Sequence, residues 1–347
     1  MRATERHTTI PSSEEPAEGE LLTPLAEKVI EGYRFGEIDE LLEVVERMPR
    51  AELYETCHQI TRQLMGDGFD TCSIIDIKSG LCPEDCKWCA QSGHFKTGCK
   101  NHDILPTEVA RAQAEHNYRQ GIKRFSIVAS GKRPTDKEVD RYVEILEKAA
   151  ADNDGLHLCA SLGLAREEQL ERLYEAGCTT YHCNMESAPS YFGELVSTHT
   201  QEEKEETLRA AKRVGMKLCS GGIIGMGESR RQRVEFALHQ ASLGIRSIPI
   251  NILHPIPGTA LGGREPMAAD EVLLSICIFR LANPEAFLRF SGGRALLDEE
   301  TQRTALYIGI NSAITGDLLT TKASVTEQDM ALFRDMGYDT RKETTWE

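Results

Sequence analysis

The sequence predicts an α/β fold, a (β/α)8 barrel of the TIM type with an N-terminal helical extension. Three observations carry this. From Gly68 onward short β-rich runs alternate with longer helical stretches, eight such runs can be counted, and they span roughly 250 residues, the usual extent of such a barrel. The 347-residue chain is 40% apolar and 27% charged, which is a globular balance and excludes collagenous, disordered and membrane-spanning classes. Its 40 Lys+Arg against 55 Asp+Glu give a net charge of −15, so a nucleic-acid partner is not expected.

In chain order, residues 1–20 are polar and rich in Ser, Glu and Pro, and read as a mobile tail with no apolar secretory core. Residues 21–66 repeat apolar positions at helical spacing. Leu53, Cys57, Ile60 and Leu64 share one face, which puts Cys57 in a packing stripe. The barrel is expected over 67–322, and 323–347 read as a charged C-terminal extension. Strands are expected at Thr71–Ile77, Arg124–Val128, Leu156–Ser161, Thr179–Asn184, Lys217–Ile224, Ser247–Ile252, Ala286–Phe290 and Ala305–Ile310. The connectors read as helices: Thr135 with Glu138 forms a capping box, followed by an apolar stripe of Val139, Tyr142, Val143 and Leu146. Chemistry in such a barrel sits at the C-terminal ends of its strands.

Eleven cysteines cannot all pair, and with no secretory signal the chain is expected in the reducing cytoplasm, where clustered thiols bind metal or do chemistry. The strongest signal is Cys82-Pro-Glu-Asp-Cys86-Lys-Trp-Cys89, directly after the first expected strand. Three thiolates at this spacing can hold three corners of an iron–sulfur cubane and leave one iron open. The competing reading is a zinc site with His94 as fourth ligand. Three further cysteines, Cys159, Cys183 and Cys219, fall in expected strands three, four and five and suggest a second metal site. Cys72, Cys178 and Cys277 read as core, and Cys99 carries no assignment. Arg230, Arg231 and Arg233 read as a solvated helix face.

The C-x3-C-x2-C loop resembles the signature of the radical S-adenosylmethionine (SAM) enzymes. That likeness implies a [4Fe–4S] cluster on Cys82, Cys86 and Cys89 and SAM on its open iron, with Trp88 against the adenine. The runs CPEDCKWCAQSGHF, RFSIVASG, YHCNMESAPSYFGEL, KLCSGGIIGMGE, SIPINILHPIPGTAL and LRFSGGR, between Asp70 and Thr321, resemble the biotin synthase family more specifically, through Pro249–Asn251, Gly258-Thr259 and Arg289–Ser291.

That resemblance implies a homodimer converting dethiobiotin to biotin, with flavodoxin or ferredoxin as electron donor and an auxiliary iron–sulfur cluster as sulfur donor. It implies that Asn184, Glu186 and Lys204 bind SAM, Lys204 standing where the family commonly has Arg. Asn184 and Asn251 would bind the substrate ureido group, and Thr320 and Thr321 its tail. Arg124, Ser247, Arg289 and Ser312 would form a polar belt round the auxiliary cluster.

The family often holds that cluster as [2Fe–2S] on three Cys and one Arg, the first Cys following an Arg-Phe pair; here that position is Ser126. Cys183 stands where His is common. The expectation is a three-thiolate set of Cys159, Cys183 and Cys219 holding a four-iron cluster with an extra sulfur, with a Ser126-substituted [2Fe–2S] site as the alternative.

Overall fold

The computed structural model describes residues 21–151, 153–316 and 325–344. Three helices come first, Pro24–Ile30, Ile38–Arg47 and Arg50–Met65. The first is set by Pro24 at its start and by Thr23, whose hydroxyl accepts from the Ala26 amide. In the third, Leu53, Cys57 and Ile60 are buried as their spacing requires. That face lies on two later helices, Ala269–Ala282 and Glu299–Ile308.

The barrel strands are β1 (Asp70–Lys78), β2 (Arg124–Ala129), β3 (His157–Ser161), β4 (Cys178–His182), β5 in two segments (Lys217–Cys219 and Gly222–Ile224), β6 (Ser247–Ile252), β7 (Phe287–Phe290) and β8 (Ile310–Ile314). All pair in parallel, in chain order, and β8 returns to β1. The circle is continuous through the broken fifth strand. Its first segment pairs with β4 and its second with β6, and Cys219 lies opposite Ser247 across the break. Glycine makes the break: a Cβ on Gly221 would lie 1.9 Å from the Pro249 carbonyl oxygen, and one on Gly222 2.4 Å from that of Glu186.

Seven of the expected strands coincide with observed ones to within two residues at either end, apart from the break in the fifth. The eighth does not. Ala305–Ile308 closes a helix that begins at Glu299, where Asp298 accepts from the Thr301 amide at 2.8 Å, and Gly309 ends it. The strand follows at Ile310–Ile314 and hides behind two polar residues that are wholly buried, Asn311 and Ser312. The Asn311 oxygen accepts from the Leu288 amide at 2.9 Å and from Arg280 Nη2 at 3.4 Å, while its Nδ2 has no partner. The reciprocal Thr135–Glu138 box does open the helix Asp136–Ala151, and Val139, Tyr142 and Leu146 are buried with Val143 partly so.

The segment after residue 325 is packed against the barrel. The helix Thr326–Asp335 sets Phe333 on Phe69, with Tyr338 edge-on to the same ring. The chain then runs beneath the barrel, where the Thr344 hydroxyl donates to Asp70 at 2.7 Å. Asp70 also takes the Arg124 Nε at 2.7 Å and the Arg289 Nη2 at 2.5 Å, all three side chains being buried. Burial alone would raise the Asp70 carboxyl; the two guanidiniums hold it below its ordinary value. No helix among the described residues is long and apolar enough to cross a membrane.

Asp70→Asn leaves two buried guanidiniums without their shared carboxylate. We expect a loss of about 3–5 kcal/mol, read as a lower urea midpoint at unchanged slope.

Candidate active site in the barrel mouth

The loop leaving β1 carries Cys82, Cys86 and Cys89. Gly80 and Leu81 both take positive φ, 77° and 50°, which turns the chain sharply and leaves Leu81 76% exposed. The loop then closes on itself: Cys82 N donates to Gln91 O at 3.0 Å, Gly93 N to Cys82 O at 2.8 Å, and Cys89 N to Cys86 O at 3.0 Å. It is tied outward as well. Glu84 accepts from Thr198 Oγ1 at 2.7 Å and meets His199 Nδ1 at 2.5 Å, while Asp85 accepts from the Ser197 amide at 2.9 Å. The acidic pair inside the cysteine motif therefore fastens the loop to the segment after β4.

Burial pushes the Cys86 and Cys89 thiols up, Cys89 to about 11, and each is raised further by the charge of its neighbour, so the triplet is close enough to interact. Such thiols keep their protons in the bare protein and surrender them to a metal. His94 is turned elsewhere, its Nε2 lying 3.0 Å from the Pro83 carbonyl, so the fourth ligand of the zinc reading is otherwise engaged. Among the described residues no three His, Cys, Asp or Glu side chains converge closely enough for a single metal ion. A cubane spreads its anchors over separate corners and fits a triplet that interacts without converging.

Below the loop lies a cavity of about 410 Å³. Trp88 and Cys89 stand at its rim, and Asn184, Glu186 and Lys204 on one wall. Glu186 takes a positive φ of 69°, and its buried Oε2 has no partner within the protein. An orphaned carboxylate oxygen facing a cavity is a site awaiting a donor such as a hydroxyl. Burial raises its carboxyl against the pull of Lys204 and His182. Burial lowers Lys204, but nearby Cys183 and Glu186 more than reverse this and keep it a cation. An acceptor and a cation side by side suit a ligand bearing hydroxyls and a carboxylate.

Asn184 accepts from the Gly221 amide at 2.9 Å through its oxygen, and its side chain also bonds Glu186 and lowers that carboxyl. Asn251 is more constrained. It donates to Gly222 O at 3.0 Å and accepts from Gly292 N at 2.9 Å, which joins β5, β6 and the end of β7. One amide hydrogen remains for a ligand. Thr320 and Thr321 lie outside the described residues.

Deeper in the cavity, side chains sort by strand parity. In a closed eight-stranded barrel, each interior layer takes its four side chains from alternate strands. The odd strands supply Cys72, Cys159, Cys219 and Arg289, all lining the cavity. Burial raises all three thiols, Cys159 to about 11; Arg289 pulls each of them down, and Cys72 senses both Cys159 and Cys219. The even strands supply Arg124, Ser126, Thr180 and Ser247. Ser247 Oγ lies 3.3 Å from Cys219 Sγ and 3.2 Å from Arg289 Nη2. Of the expected belt, Ser312 is wholly buried with its hydroxyl unpartnered.

Cys183 also lines the cavity, just beyond the end of β4, where the charges it senses are those of Lys204 and Glu186. Beside it His182 faces the interior, its Nδ1 3.2 Å from Cys219 Sγ; burial lowers it to about 4, so it is neutral. Cys72, read from the sequence as core, is buried and also lines the cavity, while His182 and Asp70 carried no sequence reading. Counting alternate residues along β1 and β4 places Cys72 and His182 on the inward face.

Residues 77–239 match the model of the radical SAM superfamily, and 249–339 that of the biotin and thiamin synthesis associated domain. A biotin synthase of Porphyromonas gingivalis is 55% identical over 309 residues, 89% of this chain and 93% of that one. The chain belongs to the biotin synthase family. A second family member, from Parabacteroides distasonis, is 49% identical over 92% of this chain and 97% of its own. Among solved structures, methylornithine synthase (PylB) shares the fold at a TM-score of 0.77, with 17% identity, over 90% of this chain and 96% of that one. The family makes this a radical SAM enzyme, for which the loop of Cys82, Cys86 and Cys89 fits a [4Fe–4S] cluster.

Replacing Cys82, Cys86 or Cys89 singly by Ala is expected to remove about four irons per chain after anaerobic reconstitution, counted with labile sulfide. Retention of those irons would dissociate the triplet from the cluster.

Proposed function

We propose that this chain converts dethiobiotin to biotin by inserting sulfur at two saturated carbons, with Cys82, Cys86 and Cys89 anchoring the SAM cluster. The observation that carries this reading is a single cavity with the cysteine loop and Trp88 at its rim and a thiol-rich layer at its floor. When bound, the two clusters and SAM supply the electron, the 5′-deoxyadenosyl radical and the sulfur.

The protein's own part is binding, orientation and exclusion of water. Glu186 offers its free oxygen to the ribose hydroxyls. Lys204 neutralises the SAM carboxylate as a point charge and, unlike the Arg common in the family, gives no bidentate fork. Trp88 covers the adenine face. Asn184 and Asn251, each through an amide hydrogen, donate to the ureido carbonyl. The closed strand circle keeps water from a substrate radical formed between rim and floor. The reading extends to a cytoplasmic homodimer that takes electrons from flavodoxin or ferredoxin.

Anaerobic protein given dethiobiotin, SAM and a low-potential reductant should form biotin with about two deoxyadenosines for each, one per carbon–hydrogen bond broken. Deoxyadenosine without biotin would reject the substrate and keep the radical chemistry. Lys204→Met should raise the KM for SAM by roughly 10–100-fold, the worth of one charged hydrogen bond, and leave the deoxyadenosine-to-biotin ratio unchanged.

A further inference from the structure

We propose that the outer face of the cysteine loop, Leu81 ringed by Lys87, Lys96 and Lys100, is the docking surface for an acidic, flavin-bearing electron-carrier protein. The inference rests on the electron-donor reading above and locates where that donor sits.

Charge sets this face apart from the rest of the chain. Overall there are 40 Lys+Arg against 55 Asp+Glu, yet residues 86–102 hold Lys87, Lys96, Lys100, His94 and His102 and no acid. The three lysines are exposed, and among the described residues none of them forms an ion pair. Other cations near the barrel mouth are spent: Lys78 lies 2.7 Å from Glu138 and Lys132 3.3 Å from Glu203. Arg230, Arg231 and Arg233 are likewise taken, by Glu271, Asp39 and Glu228. The two acids inside the cysteine motif are bonded to Ser197, Thr198 and His199, away from the strip. Exposed charges act over about 8 Å at physiological salt, so acids elsewhere on the molecule do little to oppose an acidic partner here. Unpaired lysines on one face steer it in.

The strip is one surface. Ser79 and His102 exchange backbone bonds at 3.1 Å and Asn101 packs on Gly80, which sets Lys100 beside Leu81. Gly93 N reaches Cys82 O at 2.8 Å and His94 Nε2 lies 3.0 Å from Pro83 O, folding the next turn back over the same side. The turn at 258–261 then links the other two lysines: Gly258 packs on the Lys96 carbonyl, and the Leu261 amide donates to Lys87 O at 3.1 Å. Leu81 is 76% exposed, an apolar knob in a cationic rim, the usual build of a protein interface. A flavin presents an apolar ring edge, which suits that knob, and an acidic protein round it suits the rim. Leu81 precedes Cys82 and Lys87 follows Cys86, and neighbouring Cα atoms are about 3.8 Å apart, so a partner seated here lies one residue from two cluster anchors. The reduced flavin loses one electron and the oxidised cluster gains it; no bond forms or breaks between the proteins.

The test uses full-length, anaerobically reconstituted holoenzyme with a low-potential flavodoxin as probe. Binding of oxidised flavodoxin is measured by calorimetry, and bleaching of the cluster by reduced flavodoxin by stopped flow. In protein carrying Lys87→Glu, Lys96→Glu and Lys100→Glu, the Kd should rise and the second-order rate fall by about 10–100-fold at low salt, the difference closing near about 0.5 M salt. A control with Lys28→Glu, Lys137→Glu and Lys148→Glu adds the same charge on the exposed sides of the helices Pro24–Ile30 and Asp136–Ala151, and should stay within about threefold of wild type. Leu81→Ser should weaken binding about tenfold at either salt level. Photoreduced 5-deazariboflavin, small and uncharged, should reduce all these proteins equally, showing the cluster and loop intact. Should the charge-reversed protein lose iron, Lys→Gln at the same three positions gives the same reading with a loss of about three- to tenfold. Equal binding by the two triple variants, or a rate indifferent to salt, would reject the surface and keep the donor. A ferredoxin that binds this face more tightly than flavodoxin would reject the flavin carrier. Wild-type enzyme reduced by deazariboflavin but not by flavodoxin would instead sink the donor reading itself.

Discussion

One buried carboxylate organises the lower half of this protein. Asp70 is inaccessible to solvent, yet it receives Arg124 from the second strand, Arg289 from the seventh and Thr344 from the C-terminal segment. Desolvating those charges is costly, and only their mutual bonding makes it bearable. Strands far apart in the chain are thereby fixed in register at the floor. The same clamp holds Arg289 beside the cavity, where its charge lowers the buried Cys72 and Cys219 thiols.

The mouth is built differently. Its cysteine loop has little regular structure and is held by its own backbone bonds and by two acids that grip the segment after the fourth strand. Glu84 and Asp85 thus do for the loop what a strand ladder does for the barrel. The wall opposite is shaped by the break in the fifth strand. Gly221 and Gly222 let strands four, five and six approach closely enough for Asn184 and Asn251 to cross-link them.

Much of this was legible in the residues. Seven strands, the helix carrying Cys57 and the capping box at Thr135 follow from local pattern, and the cysteine loop announces itself by spacing alone. The eighth strand did not, because two polar residues in a strand resemble a turn until their partners are known. Cys72 reads as an ordinary buried thiol, and only the closed circle of strands shows that it also lines the cavity. Asp70 and the last segment were invisible for a related reason: their meaning lies in contacts between opposite ends of the chain.

That last relation has a bearing on how the molecule comes into being. Thr344 and Asp70 are separated by 274 positions, so the base of the barrel is completed only by a contact of very long range. A nascent chain can pair its early strands, with Asp70 already beside Arg124, and still lack the Thr344 hydroxyl and carbonyl that complete the cluster.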